Sequence, residues 1–206
     1  MKLYYTVNSP YARKVRVVLA ERGIPHEAAL VNLDEAPAEF TRANPNLKVP
    51  CLVDGKRELF ESNVIVDYLL KQSAGKAAGG QPPLADRLTR PELHWEDLLV
   101  LVTVETLLDS AANAYGLKRD NIEPAQSGTL RRELRRIEAE LDWLEARVKP
   151  EGFVPGVLSI QDLNLAITLL WMDFRKPAPW RGRKKLEALV ARTEGRPSFQ
   201  ATQPGP

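Results

Sequence analysis

The sequence predicts two domains of different class, an α/β unit in the first third of the chain and an all-helical unit in the remainder. Apolar stretches of strand and helix length alternate up to about residue 75. A segment rich in Gly and Pro follows, and beyond it the apolar residues recur only at helical spacing. We therefore expect an α/β domain at residues 1–75, a linker at 76–90 and an all-helical domain at 91–206.

The first domain is predicted to have the order βαβαββα. The expected strands are 2–5, 27–32, 51–54 and 58–60, and the expected helices are 10–22, 36–42 and one that starts after Ser62. Gly23 and Pro25 are stop signals for the first helix. Asp54-Gly55 is a hairpin-turn signal between the last two strands. This order predicts a small mixed sheet with helices packed on it.

Ser9 stands where the first helix is predicted to begin. Pro10 is favoured at the first helical position, and Ser is a preferred cap just before it. The unpaired N–H groups of the first turn and the positive end of the helix dipole favour a negative charge there. The sequence therefore predicts a place for an anion at the start of this helix.

The second domain is predicted to contain only helices. One long helix is expected from about residue 93 to 114, and a second carries a clean apolar stripe: Leu130, Leu134, Ile137, Leu141, Leu144 and Val148. Ser159-Ile160-Gln161-Asp162 matches a capping pattern, which we assign to folding. A last helix is expected at 184–193, and the end of the chain at 201–206 is expected to be loosely ordered.

Composition excludes several classes of partner and site. Lys and Arg total 29 and Asp and Glu total 27, so the net charge of +2 favours neither nucleic acid nor an anionic membrane as a partner. No apolar run approaches the roughly 20 residues that span a bilayer, and no signal peptide is evident, so we expect a cytoplasmic protein. Cys51 is the only cysteine and the two histidines are far apart, so we expect no metal centre and no prosthetic group.

Four motifs occur in a fixed order along the chain. They are Ser9-Pro10-Tyr11 with Arg13-Lys14-Val15, Asn44-Pro45-Asn46-Leu47-Lys48-Val49-Pro50, Glu61-Ser62, and Ser159-Ile160-Gln161-Asp162. Together they resemble the soluble, cytosolic-type glutathione transferase family, over essentially the whole chain. The resemblance is to a bacterial-like branch with Ser at the activating position. It implies a thioredoxin-like first domain and glutathione as co-substrate.

The resemblance also implies the residues that bind glutathione. The Val49–Pro50 bond is expected to be cis, and Val49 is expected to offer its backbone N–H and C=O to the cysteinyl part of the tripeptide. Ser62 is expected to bind the γ-glutamyl carboxylate at a helix start, and Glu61 the ammonium group. An alternative for Ser62 is a simple helix cap. Lys48 is expected to reach the glycine carboxylate, or else to be a solvated lysine.

Ser9 is the candidate activator of the glutathione thiol. An unperturbed thiol pKa of about 8.5 leaves only a few per cent of thiolate at neutral pH, and a hydroxyl hydrogen bond at a helix start stabilises that thiolate. Tyr5 is the runner-up, because tyrosine supplies this bond in other branches of the family. Cys51 is expected to be a buried small hydrophobe, so glutaredoxin-like exchange is not expected.

The resemblance implies conjugation of glutathione to an electrophilic, apolar small molecule as the favoured function, in a detoxification role. Two alternatives remain open. One is a non-catalytic relative that uses the fold to bind a protein partner, and the other is a glutathione-dependent lyase, dehalogenase or isomerase with the same glutathione site. A homodimer is expected from the family and from the abundance of two-fold oligomers.

Overall fold

The computed structural model describes residues 1–72 and 81–205, which form two units. The first unit contains Met1–Arg87 together with Arg196–Pro206, and the second contains Leu88–Gly195. The predicted helical domain therefore ends too late, because the last residues of the chain pack in the first unit. Residues 76–80 of the predicted linker lie outside the described residues, and the rest of it divides between the two units.

The first unit has the predicted order βαβαββα, with one further short helix from the end of the chain. Its elements are β1 (Lys2–Tyr5), α1 (Pro10–Arg22), β2 (Glu27–Leu30), α2 (Ala38–Ala43), β3 (Cys51–Asp54), β4 (Arg57–Phe60), α3 (Ser62–Leu70) and α8 (Pro197–Gln200). The strands form one sheet in the order β2-β1-β3-β4. The β1 and β2 strands are parallel, and β3 is antiparallel to both β1 and β4. The predicted α/β class and mixed sheet are thus confirmed.

The α1 helix begins and ends at the residues that its sequence signals predict. Ser9 is the N-cap and Pro10 the first helical residue. Gly23 ends the helix in a left-handed conformation with φ 61, which glycine adopts without the steric penalty of a side chain. Val15, Val18 and Leu19 are buried on the inner side of the helix. Local caps set the length of α1, and apolar burial holds it in the unit.

Alternation along β1 sends its two tyrosines to opposite faces of the sheet. The Tyr4 ring packs against the Phe40 ring of α2, with ring centroids 5.7 Å apart. The Tyr5 ring instead lies under the Arg16 guanidinium of α1, 4.8 Å from its centroid. Only Tyr5 therefore lies on the side of the sheet that carries α1.

Residues 201–205 are ordered by packing, contrary to the prediction of loose ordering for 201–206, of which Pro206 lies outside the described residues. Thr202 is buried and its hydroxyl donates to the carbonyl of Ser198 at 2.8 Å. Phe199 is fully buried, and the Gly205 amide donates to the Asn8 side chain. The Gly and Pro content of this segment predicts loose ordering, whereas its contacts with distant residues in fact hold it in place.

The second unit consists of four helices over its described residues. They are α4 (His94–Arg119), which follows a 3₁₀ turn at Pro91–Leu93, α5 (Gly128–Arg147), α6 (Ile160–Arg175) and α7 (Lys184–Glu194). The predicted stripe of α5 supplies the buried Leu130, Ile137, Leu141 and Leu144. The α4 helix runs five residues beyond its predicted end. Contacts in its last turns are not local: the Tyr115 ring meets Trp171, and Lys118 donates to the Pro177 carbonyl.

The start of α6 is a complete capping box, as the sequence predicts. The Ser159 hydroxyl accepts from the Asp162 amide at 3.0 Å, and the Asp162 carboxylate accepts from the Ser159 amide at 3.2 Å. The other Asp162 oxygen accepts from the Phe153 amide. Gly152 has φ 106, and a Cβ there would lie 2.7 Å from Asp162, so this loop requires glycine.

The stretch Pro91–Arg119 is long and apolar enough to cross a membrane, with a mean hydropathy of 1.3. Its Val104, Leu107 and Leu108 are nevertheless buried in the second unit, where α4 packs on α5 and α6. We interpret α4 as a core helix because these residues are buried against neighbouring helices. Length and composition alone do not separate core helices from membrane spans.

One carboxylate of α5 is held in an unfavourable environment. Burial, together with the like charges of Glu133 and Asp109, raises the pKa of Glu140 to about 7, although Arg136 opposes the shift. One carboxylate oxygen of Glu140 is buried without a hydrogen-bond partner among the described residues. The folded protein therefore holds a proton on Glu140 at a pH where the unfolded chain does not.

We predict that Glu140→Gln stabilises the protein at pH 8 and leaves its stability unchanged at pH 4. Because the folded pKa lies above the unfolded value of 4.5, wild-type stability falls as pH rises from about 4.5 to about 7. The glutamine variant lacks this fall, and we expect a gain of roughly 1–2 kcal/mol at pH 8. Urea unfolding at both pH values measures it. The exposed Glu151→Gln is the control, and an equal gain there contradicts the prediction.

Candidate functional site

Ser9 combines a structural contact with an available donor. Its hydroxyl oxygen accepts from the Ala12 amide at 3.2 Å, which makes it the N-cap of α1. A hydroxyl has one O–H in addition to its lone pairs, so accepting from the helix leaves its own proton free for another acceptor. Ser9 is partly exposed, and the first-turn N–H groups of α1 lie beside it. The start of α1 thus has a hydroxyl donor at the position where the sequence predicts an anion.

The loop before β3 is organised by two asparagines. The buried Asn44 side chain donates to the Lys48 carbonyl at 2.5 Å and accepts from the Asn46 amide at 3.0 Å. The Leu47 backbone is left-handed, with φ 53, and the Val49–Pro50 peptide bond is cis. Val49 and Pro50 are buried, whereas the Lys48 side chain is exposed. The loop therefore presents a short ordered stretch of backbone ahead of β3.

The start of α3 lies against this loop. Glu61 is the N-cap residue, with φ 65, and it makes no side-chain capping bond. Its carboxylate instead accepts from the Asn46 side chain at 2.6 Å. A left-handed glutamate costs of order 1–3 kcal/mol, and such residues cluster at functional sites. The interaction of Glu61 with Asn46 joins two of the four sequence motifs.

Ser62 is the first residue of α3 and is not its cap, so the alternative of a simple capping role is wrong. It is buried, with 6% of its surface exposed. Because no side chain caps α3, the N–H groups of its first turn are available to an anion. The next residue, Asn63, accepts from Lys14 of α1 at 2.8 Å. This bond ties the helix that carries Ser62 to the helix that Ser9 caps.

The two candidates for thiol activation lie in different surroundings. The Tyr5 ring is covered by Arg16, which lies seven residues, and thus about 10 Å, along α1 from Ser9. Ser9 shares no hydrogen bond with Val49 or Ser62 in the described part of the chain. Ser9, Val49 and Ser62 are thus brought to one unit without a hydrogen bond among these described residues.

Cys51 has no features of a reactive thiol. It is fully buried in a cluster with Tyr4, Phe40 and Val49. Burial and the negative charge of Glu58 raise the pKa of its thiol to about 11, which disfavours the thiolate. The expectation of a buried small hydrophobe is confirmed. Within residues 1–72 and 81–205, no group of three or more His, Cys, Asp or Glu side chains could hold a metal ion.

Comparisons with known proteins identify the family. The family model for the glutathione S-transferase N-terminal domain matches residues 3–77. The uncharacterized GST-like protein YibF of Escherichia coli is 31% identical over 99% of this chain and 98% of its own length. The chain belongs to the glutathione S-transferase family. A stringent starvation protein A homolog of Haemophilus ducreyi is 39% identical, over 59% of each protein.

The fold of this glutathione S-transferase family member is also that of solved relatives. A glutathione S-transferase from Methylobacillus flagellatus, solved with glutathione bound, superimposes with a TM-score of 0.80 at 27% identity and covers 99% of both chains. A glutathione transferase family member from Pseudomonas fluorescens, also with bound glutathione, gives 0.80 at 26% identity. The thioredoxin-like domain and the helical domain are therefore those of this family.

Asn44 and Asn46 are the site residues whose roles the sequence does not reveal. Both lie in the motif at residues 44–50. Asn44 donates to a backbone carbonyl four residues away, and Asn46 donates to a carboxylate 15 residues away. An Asn side chain that accepts from the backbone amide two residues later is a local turn signal, and it identifies Asn44 alone. No local sequence pattern predicts the hydrogen bond between Asn46 and Glu61.

We predict that Asn44→Ala destabilises the protein and loosens the loop before β3. The substitution leaves the Lys48 carbonyl and the Asn46 amide without their buried partner, at a cost of about 1–3 kcal/mol. Thermal unfolding and hydrogen exchange across residues 44–51 measure both effects. Asn32→Ala is the matched control, because Asn32 makes the same type of turn to the Asp34 amide on an exposed loop. If both variants lose equal stability, the special role of Asn44 is contradicted.

Proposed function

We propose that this family member is an active glutathione transferase that adds the glutathione thiolate to an electrophilic, apolar small molecule. The observation that carries the proposal is the Ser9 hydroxyl, which accepts from the Ala12 amide and keeps its own proton for donation. The proposal includes the Ser-activated, bacterial-like branch of the family. It rests on the chemistry of this one group at the start of α1.

Glutathione is proposed to bind along two segments of the first unit, the loop before β3 and the start of α3. Val49, next to cis-Pro50, offers its backbone to the cysteinyl part as an edge strand does to an extended peptide. Ser62 and the uncapped start of α3 bind the γ-glutamyl carboxylate, and Glu61 its ammonium group. The exposed Lys48 reaches the glycine carboxylate. Relatives of known structure hold glutathione, which supports this assignment.

Activation of the thiol is an electrostatic task. Lowering a thiol pKa from about 8.5 by two units needs roughly 2.7 kcal/mol of preferential stabilisation of the thiolate. A hydrogen bond from a hydroxyl to an anionic sulfur contributes part of this, and the α1 dipole adds to it over a distance of one turn. Ser9 thereby activates glutathione without becoming a nucleophile itself.

We predict that Ser9→Ala lowers kcat/KM with glutathione and a generic aromatic halide by roughly 10- to 100-fold near neutral pH, because the thiolate loses its hydrogen-bond donor. Tyr5→Phe is expected to keep wild-type activity, since the Tyr5 ring packs under Arg16. Steady-state rates over a range of pH measure both variants. Unchanged activity in Ser9→Ala, or a large loss in Tyr5→Phe, would contradict the assignment.

The loss of a helix cap needs its own control, because Ser9→Ala also removes the capping bond. Ser127 caps α5 in the same way, accepting from the Leu130 amide at 3.1 Å. Ser127→Ala is expected to cost a similar amount of stability, about 1 kcal/mol, and to leave activity unchanged. Equal losses of activity in the two serine variants would assign the effect of Ser9→Ala to stability alone.

Two other functions would use the same fold or the same glutathione site. A non-catalytic relative that binds a protein partner would keep the fold and lose glutathione affinity, and a glutathione-dependent lyase, dehalogenase or isomerase would keep that affinity. Calorimetry with glutathione separates the first from the proposed transferase: binding at or below millimolar concentration supports the transferase, and its absence supports the binding protein. Substrate profiling then separates conjugation from the other glutathione-dependent reactions.

We also propose a homodimer in which the exposed apolar face of α4 contacts a second copy. Trp95, Leu99 and Val102 recur at helical spacing on this face and are 72%, 60% and 52% exposed. A large aromatic side chain so exposed is typical of an interface. A helix face of this kind pairs with its own copy across a two-fold axis, which is the commonest symmetry of soluble oligomers. The proposed location is the cytoplasm, with a role in detoxification.

We predict that Trp95→Glu weakens dimer formation by about 30-fold or more, the scale of losing one aromatic hot spot of roughly 2 kcal/mol. Sedimentation equilibrium over a range of protein concentrations measures the dissociation constant. Lys149→Glu, an exposed charge change elsewhere in the second unit, is the control. A dimer equally stable in the Trp95 variant would place the interface on another surface.

A further inference from the structure

The C-terminal strap, which we define as residues 196–205, is fixed at its start by a buried ion pair. The Arg196 guanidinium donates to both carboxylate oxygens of Glu21 in α1, at 2.8 and 2.7 Å. Only 3% and 1% of the two side chains is exposed. Ser198 adds a hydroxyl hydrogen bond to Glu21. Bidentate pairing with this additional donor gives the strap a firm anchor at the last turn of α1.

Further contacts follow α1 back toward its first turn. The Arg13 guanidinium donates to the Phe199 carbonyl at 3.2 Å and lies 5.7 Å from the centroid of the Phe199 ring. The Gly205 amide then donates to the Asn8 side-chain oxygen at 3.1 Å. The Cβ position of Gly205 would lie 3.6 Å from a methyl group of Val7. The strap therefore ends against the turn that joins β1 to α1.

The order of these contacts shows that the strap runs antiparallel to α1. Residues 196 and 198 meet Glu21, residue 199 meets Arg13, and residue 205 meets Asn8. The 13 residues of α1 span about 20 Å, and the contacts with Glu21, Arg13 and Asn8 show that the strap, which includes the short helix α8, follows the whole helix. Its far end contacts the residue directly before Ser9.

We propose that the C-terminal strap positions Ser9, with Asn8 as the positioning residue through which it acts. This inference rests on the proposed function of Ser9. Ser9 begins α1 after a turn whose own backbone bond, from the Ser9 amide to the Thr6 carbonyl, is long at 3.4 Å. The Gly205–Asn8 bond adds a second constraint on this turn from outside it. It limits the motion of the Ser9 backbone and so keeps the hydroxyl directed at the bound thiol.

The structure separates this role from general stabilisation of the fold. The buried contacts of the strap lie at Arg196, Ser198 and Phe199, whereas Asn8 and Gly205 are only partly buried. A chain that ends at Gln203 keeps the buried anchors and loses the Gly205 donor. Asn8→Ala removes the acceptor from the other side of the same bond. Both changes should therefore affect the Ser9 turn with little change in melting temperature.

The first experiment measures hydrogen exchange of the Ser9 and Ala12 amides in the wild-type protein and in its variants, all without glutathione. We expect roughly three- to tenfold faster exchange in the chain that ends at Gln203 and in Asn8→Ala, because local opening governs these amides. Asn8→Asp retains an acceptor oxygen and should exchange like wild type. Gln203→Ala, which removes only the exposed bond to Gln200, is the control. Wild-type exchange in both of the disrupting variants overturns the proposal.

The second experiment titrates the thiol of bound glutathione by the ultraviolet absorbance of the thiolate. We expect the apparent thiol pKa to rise by about 0.5 to 1 unit in the chain that ends at Gln203 and in Asn8→Ala, with Gln203→Ala unchanged. Faster exchange with an unchanged thiol pKa makes the strap purely structural and overturns its role toward Ser9. If wild type binds no glutathione, the proposed function fails, and the exchange measurement alone decides whether the strap orders the Ser9 turn.

Discussion

The free N–H groups at the start of each helix are the constraint on which much of this structure depends. Each such group needs a partner, and the chain supplies partners of different kinds. Ser159 and Asp162 close the start of α6 completely, and the Glu145 carboxylate of α5 accepts from two amides at the start of α7. At α1 a single hydroxyl accepts, and at α3 no side chain caps the helix. The closed starts stabilise the fold, whereas the uncapped start of α3 leaves N–H groups available to an anion and the Ser9 hydroxyl at α1 keeps its proton for donation.

In the first unit, contacts from distant parts of the chain fix the positions of α1 and α3. Asn46 binds the carboxylate of Glu61 at the start of α3, and Lys14 of α1 binds Asn63 in the first turn of that helix. Arg196 pairs with Glu21 at the other end of α1. None of these partners is a neighbour in sequence, so the site is rigid only once the whole unit has folded. Such support is what a binding constellation needs, because small displacements weaken directed hydrogen bonds.

The same arrangement explains how one fold serves related functions. A transferase and a glutathione-dependent lyase require the same open helix starts and the same cis-Pro50 backbone, and they differ in what lies beyond the sulfur. A relative that only binds proteins needs the fold without the donor at position 9. For the proposed transferase the decisive group is the Ser9 hydroxyl, which accepts from the Ala12 amide and keeps its own proton for donation.

The sequence alone determined the order βαβαββα, the starts of α1 and α6 and the stripe of α5, because caps, turn residues and apolar periodicity act within a few residues. It also indicated Ser9, Pro50 and Ser62 as candidate site residues. Only the tertiary structure decided that Glu61 precedes α3 without capping it and binds Asn46, that α4 continues to Arg119, and that residues 196–205 return to the first unit. It also decided that burial holds a proton on Glu140. These features depend on groups that are far apart in the chain, and local sequence patterns carry no information about which distant partner a side chain meets.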